Sequence, residues 1–329
     1  MGDEDIKETT AKGALVDEAD VEEADGFEAE LQRTLRETEQ AVLDVGVLAE
    51  DPDLTRSWVR AREIVEGFKP VPFFIWRLSH FVLGKPAHIG EVSQGLVFGL
   101  RRLLFAAASD QALGAGDKVN NVRKALNILK SDVIAAVAVI HAICRRLSNK
   151  PHERIWKPIL EDAILRARLG LELGRCSDSF GGGRGMLAGF SGRAGLVVLI
   201  ATSEIEEARK ALEMLATGAQ IRDVGRAVFS CDPLQVSAMM LSAAGCGRDA
   251  AFGTVSYGTE SVAEDIDNEE QLRWFAAFSI IEQLRVNALS DVPQQLWDAL
   301  EIGTGDQERL AEVAKKTLRR GHGWGWLLG

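Results

Sequence analysis

The chain has 329 residues, 46% of them hydrophobic, 26% charged and 6% aromatic, the balance of a globular protein with one large domain or two small ones; disorder throughout is excluded. With 49 acidic against 38 basic residues the net charge is −11, so general attraction to nucleic acid or to an anionic membrane is not expected. The charge is unevenly placed, because residues 1–50 hold 16 Asp or Glu and 4 Lys or Arg, which leaves 33 acidic and 34 basic residues for a nearly neutral remainder.

Residues 1–26 are acidic, poor in large apolar side chains and without a sustained period, and are expected to be a disordered tail. Across residues 27–67 the spacing of Leu31, Leu35, Val42 and Val45 predicts an amphipathic helical lead-in. Lys69-Pro70-Val71-Pro72 disfavours helix and marks the start of the main domain, expected over 68–310. Beyond it nearly everything reads as helix. One helix is expected over Val122–Leu147, with Val122, Leu126, Leu129, Val133, Val137, Ile140, Cys144 and Leu147 at intervals of three and four. Glu204–Ala216 should be amphipathic, with Ile205, Ala208, Leu212 and Leu215 on one face and Gly218 as a left-handed cap. Asp232 should cap a helix whose first residue is Pro233, and Trp274–Leu289 should form another. About ten or more helices without a repeat of fixed period predict an all-α globular bundle. Cys144, Cys176, Cys231 and Cys246 form no CxxC pair, no secretory leader opens the chain, and its apolar runs fall short of a span, so a reducing cytoplasm is expected.

The glycines of Phe180-Gly181-Gly182-Gly183-Arg184-Gly185 invite a phosphate-loop reading but lack the Lys-Ser/Thr pair. Gly183, Gly185 and Ala188 match GxGxxA, with Glu204 downstream, yet no strand precedes them, and a flexible inter-helix loop is the expectation. Gly185, Gly189, Gly192 and Gly195 then recur every three or four residues before Leu196–Ile200, as in a buried core helix. Within it Arg193 needs an acidic partner, an anion or a route to solvent. His80, His88, His141, His152 and His322 show no metal spacing, and His141 is read as a hydrogen-bonded core histidine. Ser191 lacks a nucleophile elbow, and Glu161-Asp162 reads as a solvated helix face. No metal and no cofactor is expected. In the basic segment 311–329, Trp324 and Trp326 are spaced by glycine; a docked tail, a peptide presented to a partner and a weak interfacial anchor remain open.

In its order of segments the chain resembles the HDOD family, the HD-related output domain of bacterial signalling proteins, over residues 68–300. Pro70-Val71-Pro72, Ile89-Gly90-Glu91-Val92 and Leu100–Ala108 stand where that family has its proline-rich start and first core helices. Asn121–Leu129 is similar to its Ser-Val-x-x-Ala-Ile-x-x-Leu-Gly helix. Leu187–Gly195 parallels Ala-Gly-Leu-Leu-His-Asp-Ile-Gly, and Val228–Ala238 parallels Phe-Gly-x-Asp-His-x-x-Val-Gly-Ala. Against the ancestral metal-dependent phosphohydrolases, the resemblance puts the His-Asp dyad on Gly192 and Arg193, the later helix-start His on Pro233, and the upstream His near Pro158, after Trp156. It thus implies an HD-like fold that has lost its metal and its hydrolysis.

Two functions follow as expectations. The first is a non-catalytic regulator that binds another signalling protein, its acidic segment tuning the contact. The second is a nucleotide or anion sensor at the former active site around Arg193 and Arg184, with Gly192, Pro233 and Asp162 beside them. Against the second stands an ion pair between Arg193 and Asp162 or Glu161. The near-neutral body and the lack of a basic recognition helix argue against DNA binding.

Overall fold

The computed structural model of the chain describes residues 18–43, 52–83, 100–256, 263 and 266–328. Their regular structure is entirely helical. In chain order the α-helices are α1 (Glu18–Leu43), α2 (Pro52–Phe68), α3 (Phe73–Leu83), α4 (Arg101–Ser109), α5 (Val122–Ile128), α6 (Ser131–Leu147), α7 (Glu153–Arg175) and α8 (Gly182–Thr202). They continue with α9 (Ile205–Ala216), α10 (Ile221–Phe229), α11 (Pro233–Ala243), α12 (Arg248–Ser256), α13 (Glu269–Val286), α14 (Gln294–Ala299) and α15 (Thr304–Arg320).

The bundle is organised around α8. This helix is apolar on every side and buried almost throughout, and α6, α7, α11 and α13 pack around it. At 21 residues it is long and apolar enough to cross a bilayer, but 89% of its most apolar window is covered by the protein itself, so it is a core helix. Its closest neighbour is α7, and glycine sets the approach. A β-carbon on Gly170 would lie 1.9 Å from the Gly185 carbonyl oxygen, one on Gly185 2.0 Å from that of Gly170, and one on Gly189 2.1 Å from that of Arg166. None of these distances is compatible with a side chain, so the two backbones meet only because these positions have none.

On the other side of α8, the Ser237 hydroxyl of α11 donates to the Ser191 carbonyl at 2.6 Å and accepts from the Gly195 N–H at 2.9 Å. It stands in the ladder between residues 191 and 195 and pins α11 to the core. A β-carbon on Gly195 would sit 1.8 Å from the Pro233 carbonyl oxygen. The N-terminal helices join the same core: α1 and α2 pack on α11, and Leu31, Leu35, Val42, Trp58, Ala61 and Val65 are buried there.

Several local expectations match. Asp232 accepts from the Leu234 N–H at 2.9 Å and Pro233 opens α11; α9 begins at Ile205 with a capping box between Glu204 and Glu207, and Gly218 has φ +86°. Others are corrected. The expected helix over Val122–Leu147 is two helices, α5 and α6, bent by 108° across extended Leu129 and Lys130. The bend brings Asp132 to the start of α8, where its Oδ2 accepts from the Gly183 N–H at 2.7 Å.

The expected glycine-rich loop is the first turn of α8, buried from Gly182 onward, because close packing on α6 and α7 outweighs the low helix propensity of glycine. The helix expected over Trp274–Leu289 starts at Glu269, behind an Asn268 cap, and ends at Val286, where Asn287 turns left-handed with φ +57°. Leu212, expected on the inner face of α9, is 45% exposed. Residues 18–26, expected in the disordered tail, belong to α1, while residues 1–17 lie outside the described residues, as do His88 and Ile89–Val92. The boundary expected between 310 and 311 falls inside α15.

Candidate functional site

Gly192 and Arg193, where the resemblance places the dyad, lie at the middle of α8, where α7 and α13 face them. Arg193 has two acidic neighbours: its Nε is 3.3 Å from Asp162 Oδ2 on α7, and its Nη1 is 3.6 Å from Glu282 Oε1 on α13. Arg166, one turn after Asp162, donates from Nε to Asp162 Oδ2 at 2.8 Å and from Nη1 to Glu282 Oε1. Arg285 completes the group by donating from Nε to Asp162 Oδ1 at 2.7 Å. Three guanidiniums thus surround two carboxylates, and one of the three, Arg166, has a side chain only 4% exposed. Burial alone would push the Asp162 carboxyl up, but Arg166 and Arg285 hold it below its ordinary value. Burial likewise opposes the charge on Arg166, and Glu282 and Asp162 restore it and raise its pKa.

Asp162 is therefore not on a solvated face, as the sequence suggested. It is the centre of an ion-pair cluster, and the acidic partner that Arg193 required is present. Gly192 contributes by absence, since a β-carbon there would lie 3.0 Å from Glu282 Oε1.

The other expected site residues do not converge on Arg193. Arg184 lies nine residues earlier on α8, roughly 13 Å along the axis. It is buried, pairs with Glu270 at 2.8 Å and donates to the Leu83 carbonyl at 3.2 Å. Pro233 faces Gly195 on the α11 side of α8. The neighbouring Asp232 is fully buried, with Oδ2 2.9 Å from Arg222 Nε and 3.2 Å from Arg226 Nη2. Trp156 donates from its indole to the Pro151 carbonyl at 2.7 Å, and Pro158 lies inside α7. Among the described residues no group of three or more His, Cys, Asp or Glu is arranged to hold a metal ion. Cys144, Cys231 and Cys246 are buried, which pushes each thiol up to about 12.

The C-terminal segment is docked on the chain itself. Trp324 is completely buried, donates from its indole to Asp110 Oδ1 at 3.2 Å and lies under the Arg168 guanidinium, 5.4 Å from the ring centre. Trp326, half-buried, donates to Asp110 Oδ2 at 3.3 Å. His141 holds the next residue, its Nδ1 lying 3.1 Å from the Leu327 carbonyl oxygen. Trp324 is thus a core side chain and is not presented to a partner. Sequence reasoning missed Arg166, Glu282, Arg285 and Asp110. Of these, only Arg166 carried a signal, its spacing of four from Asp162.

No known family profile matches the chain, and no curated protein does. Two solved structures share its fold. One, from Marinobacter aquaeolei VT8, is provisionally described as a signal transduction protein; it superimposes with a TM-score of 0.57 at 16% identity over 80% of this chain. This chain spans only 64% of that protein's length. The other, from Shewanella amazonensis SB2B, is provisionally described as a phosphohydrolase; its TM-score is 0.57 at 14% identity, covering 82% of this chain and 98% of that one. The likeness is one of fold, and the fold is all-α.

Proposed function

We propose that this chain is a non-catalytic signal-transduction protein that acts by binding another protein through a degenerate HDOD core. The cluster around Arg193 carries the reading. At the positions where the resemblance places metal ligands stand Gly192, Arg193 and Pro233, no one of which offers a dication a ligand side chain, and a dication approaching Arg193 would meet the guanidiniums of Arg166, Arg193 and Arg285. Asp162 and Glu282, the carboxylates closest to that point, are already engaged by arginine. The alternative of an anion sensor at Arg193 loses ground for the same reason, since Arg193 has two acidic partners.

The test is hydrolysis and thermal unfolding of the full chain with and without Mn²⁺ and Mg²⁺, using a chromogenic phosphodiester as substrate. The expected result is no metal-dependent turnover and no metal-dependent shift in Tm. Turnover that requires metal would overturn the reading. Once a partner has been identified by crosslinking, removal of residues 1–17, which leaves α1 intact, should change its affinity more at low than at high salt. Equal affinity at both would remove the acidic segment from the contact.

A further inference from the structure

Outside that cluster, a surface cavity of about 1130 Å³ opens between the start of α3, the first turn of α4, the last turns of α6 and the docked C-terminal segment. Its described lining residues include Arg101 and Arg102 from α4 and Arg145 and Arg146 from α6, with no Asp or Glu among the described ones. All four arginines are exposed, and among the described residues none of them pairs with a carboxylate. At Arg62, Arg166, Arg184 and Arg222, by contrast, the guanidinium is matched with an acid. Electrostatics adds to the contrast. Arg101 and Arg102 occupy the positive end of α4, whose first turn has no acidic residue and whose Leu100 cap makes no side-chain hydrogen bond. Two cations at an uncapped helix start are unfavourable alone and favourable around a bound anion. The lining also holds aromatic rings: Phe74 is 40% exposed, and Trp326 presents the half-buried indole whose N–H is tied to Asp110.

We propose that this cavity is a binding site for a nucleoside polyphosphate, with Arg101, Arg102, Arg145 and Arg146 holding the phosphates and Phe74 and Trp326 packing on the base. Guanidinium forks match phosphate oxygens two at a time, which suits a chain of phosphates better than a single carboxylate. Four cations balance the charge of a triphosphate, and the cavity is of the size that encloses such a ligand. The site is separate from Arg193 and does not depend on the protein-binding reading. Occupancy would instead be sensed by the C-terminal segment, because Trp326 lines the cavity and His141, on its wall, holds Leu327.

The test is equilibrium binding of ATP, GTP, tripolyphosphate and adenosine to the full chain at low and at physiological salt, by calorimetry and tryptophan fluorescence. ATP or GTP should bind at least about tenfold more tightly than tripolyphosphate, with affinity falling as salt rises, and adenosine should not bind measurably. The double variant Arg145→Glu, Arg146→Glu should weaken binding by at least about tenfold, and Arg102→Glu, on the other wall, should also weaken it. Arg193→Met should leave it unchanged. The site is refuted if neither nucleotide binds at low salt, if both arginine variants bind as the unaltered chain does, or if Arg193→Met abolishes binding. Tripolyphosphate binding as tightly as ATP would overturn the nucleotide assignment.

Discussion

The ion-pair cluster makes a graded prediction about its own arginines. Arg166 makes close contacts to both carboxylates, to Asp162 at 2.8 Å and to Glu282, and its side chain is almost completely buried. Replacing it with Met leaves Glu282 with Arg193 alone at 3.6 Å, so a mostly buried carboxylate loses its principal counter-charge. Breaking a buried pair from one side costs about 3–5 kcal/mol. Arg193 differs, because its contacts are the longer ones, and without it two guanidiniums still face two carboxylates, each carboxylate keeping a close partner. Arg193→Met should then cost no more than about 1 kcal/mol. Arg193→Glu places a third carboxylate against Asp162 and Glu282 and should cost about as much as Arg166→Met. Urea unfolding followed by circular dichroism reads all three, provided the slope with denaturant stays constant. The carboxyl of Asp162 is held below its ordinary value, so its contribution is present above pH 3.8 and is lost as pH falls through the folded value; Arg166→Met should reduce that acid-sensitive part. Equal costs for Arg166→Met and Arg193→Met, or a cost below about 1 kcal/mol for Arg166→Met, would refute the charge accounting.

Glycine substitutions should split in sign. Gly189→Ala forces a β-carbon to 2.1 Å from the Arg166 carbonyl oxygen and should destabilise by about 1–3 kcal/mol, whereas Gly67→Ala in α2 meets nothing within 4 Å and should stabilise by up to about 1 kcal/mol. A gain in Tm for Gly189→Ala would show that α7 and α8 can separate freely. Trp324→Ala removes a fully buried indole, and since α15 can stay in place the loss should be local: tryptic cleavage after Arg319 and Arg320 should speed up about 100-fold, for about 3 kcal/mol of lost docking. No change in cleavage would mean that the segment is held by something other than Trp324. Burial lowers the pKa of both His141 and His322, so the fold favours their neutral forms, and their contribution is present above pH 6.5 and is lost as pH falls through their folded values. Amide protection at residues 322–328, corrected for intrinsic exchange, should fall between pH 7.5 and 5.5, and flat protection would contradict the assignment.

What could be read from the sequence was local chemistry. Asp232-Pro233 and Gly218 each specify a helix end through groups within a few residues, and the structure places helix ends there. The need of Arg193 for an acidic partner, an anion or a route to solvent was legible because burial of a guanidinium is costly in any fold. The break at Leu129-Lys130 was not, for the apolar spacing runs in phase across it, with no Gly or Pro to signal a stop. Its structural counterpart is distant: Asp132 faces the Gly183 N–H, 51 positions away. The glycines at 182–185 were misread as a loop because local propensity opposes helix, while the deciding contacts come from α6 and α7. Docking of Trp324 was left undecided since Asp110 lies 214 positions earlier, and nothing near either residue announces the other.

Gly192, Arg193 and Glu282 explain one another. With no side chain at 192, the carboxylate of Glu282 can approach α8, since even a β-carbon there would lie 3.0 Å from its Oε1. Once Glu282 is there, a cation opposite it is required, and Arg166 and Arg193 supply it. The polar groups at the middle of α8 thus satisfy one another and hold α7, α8 and α13 in register, which leaves little there for a ligand to gain. The opposite holds at the cavity between α4 and α6, where four arginines face no acid among the described lining residues. A bound anion gains most where the protein has left charge uncompensated, and little where it has already paired it.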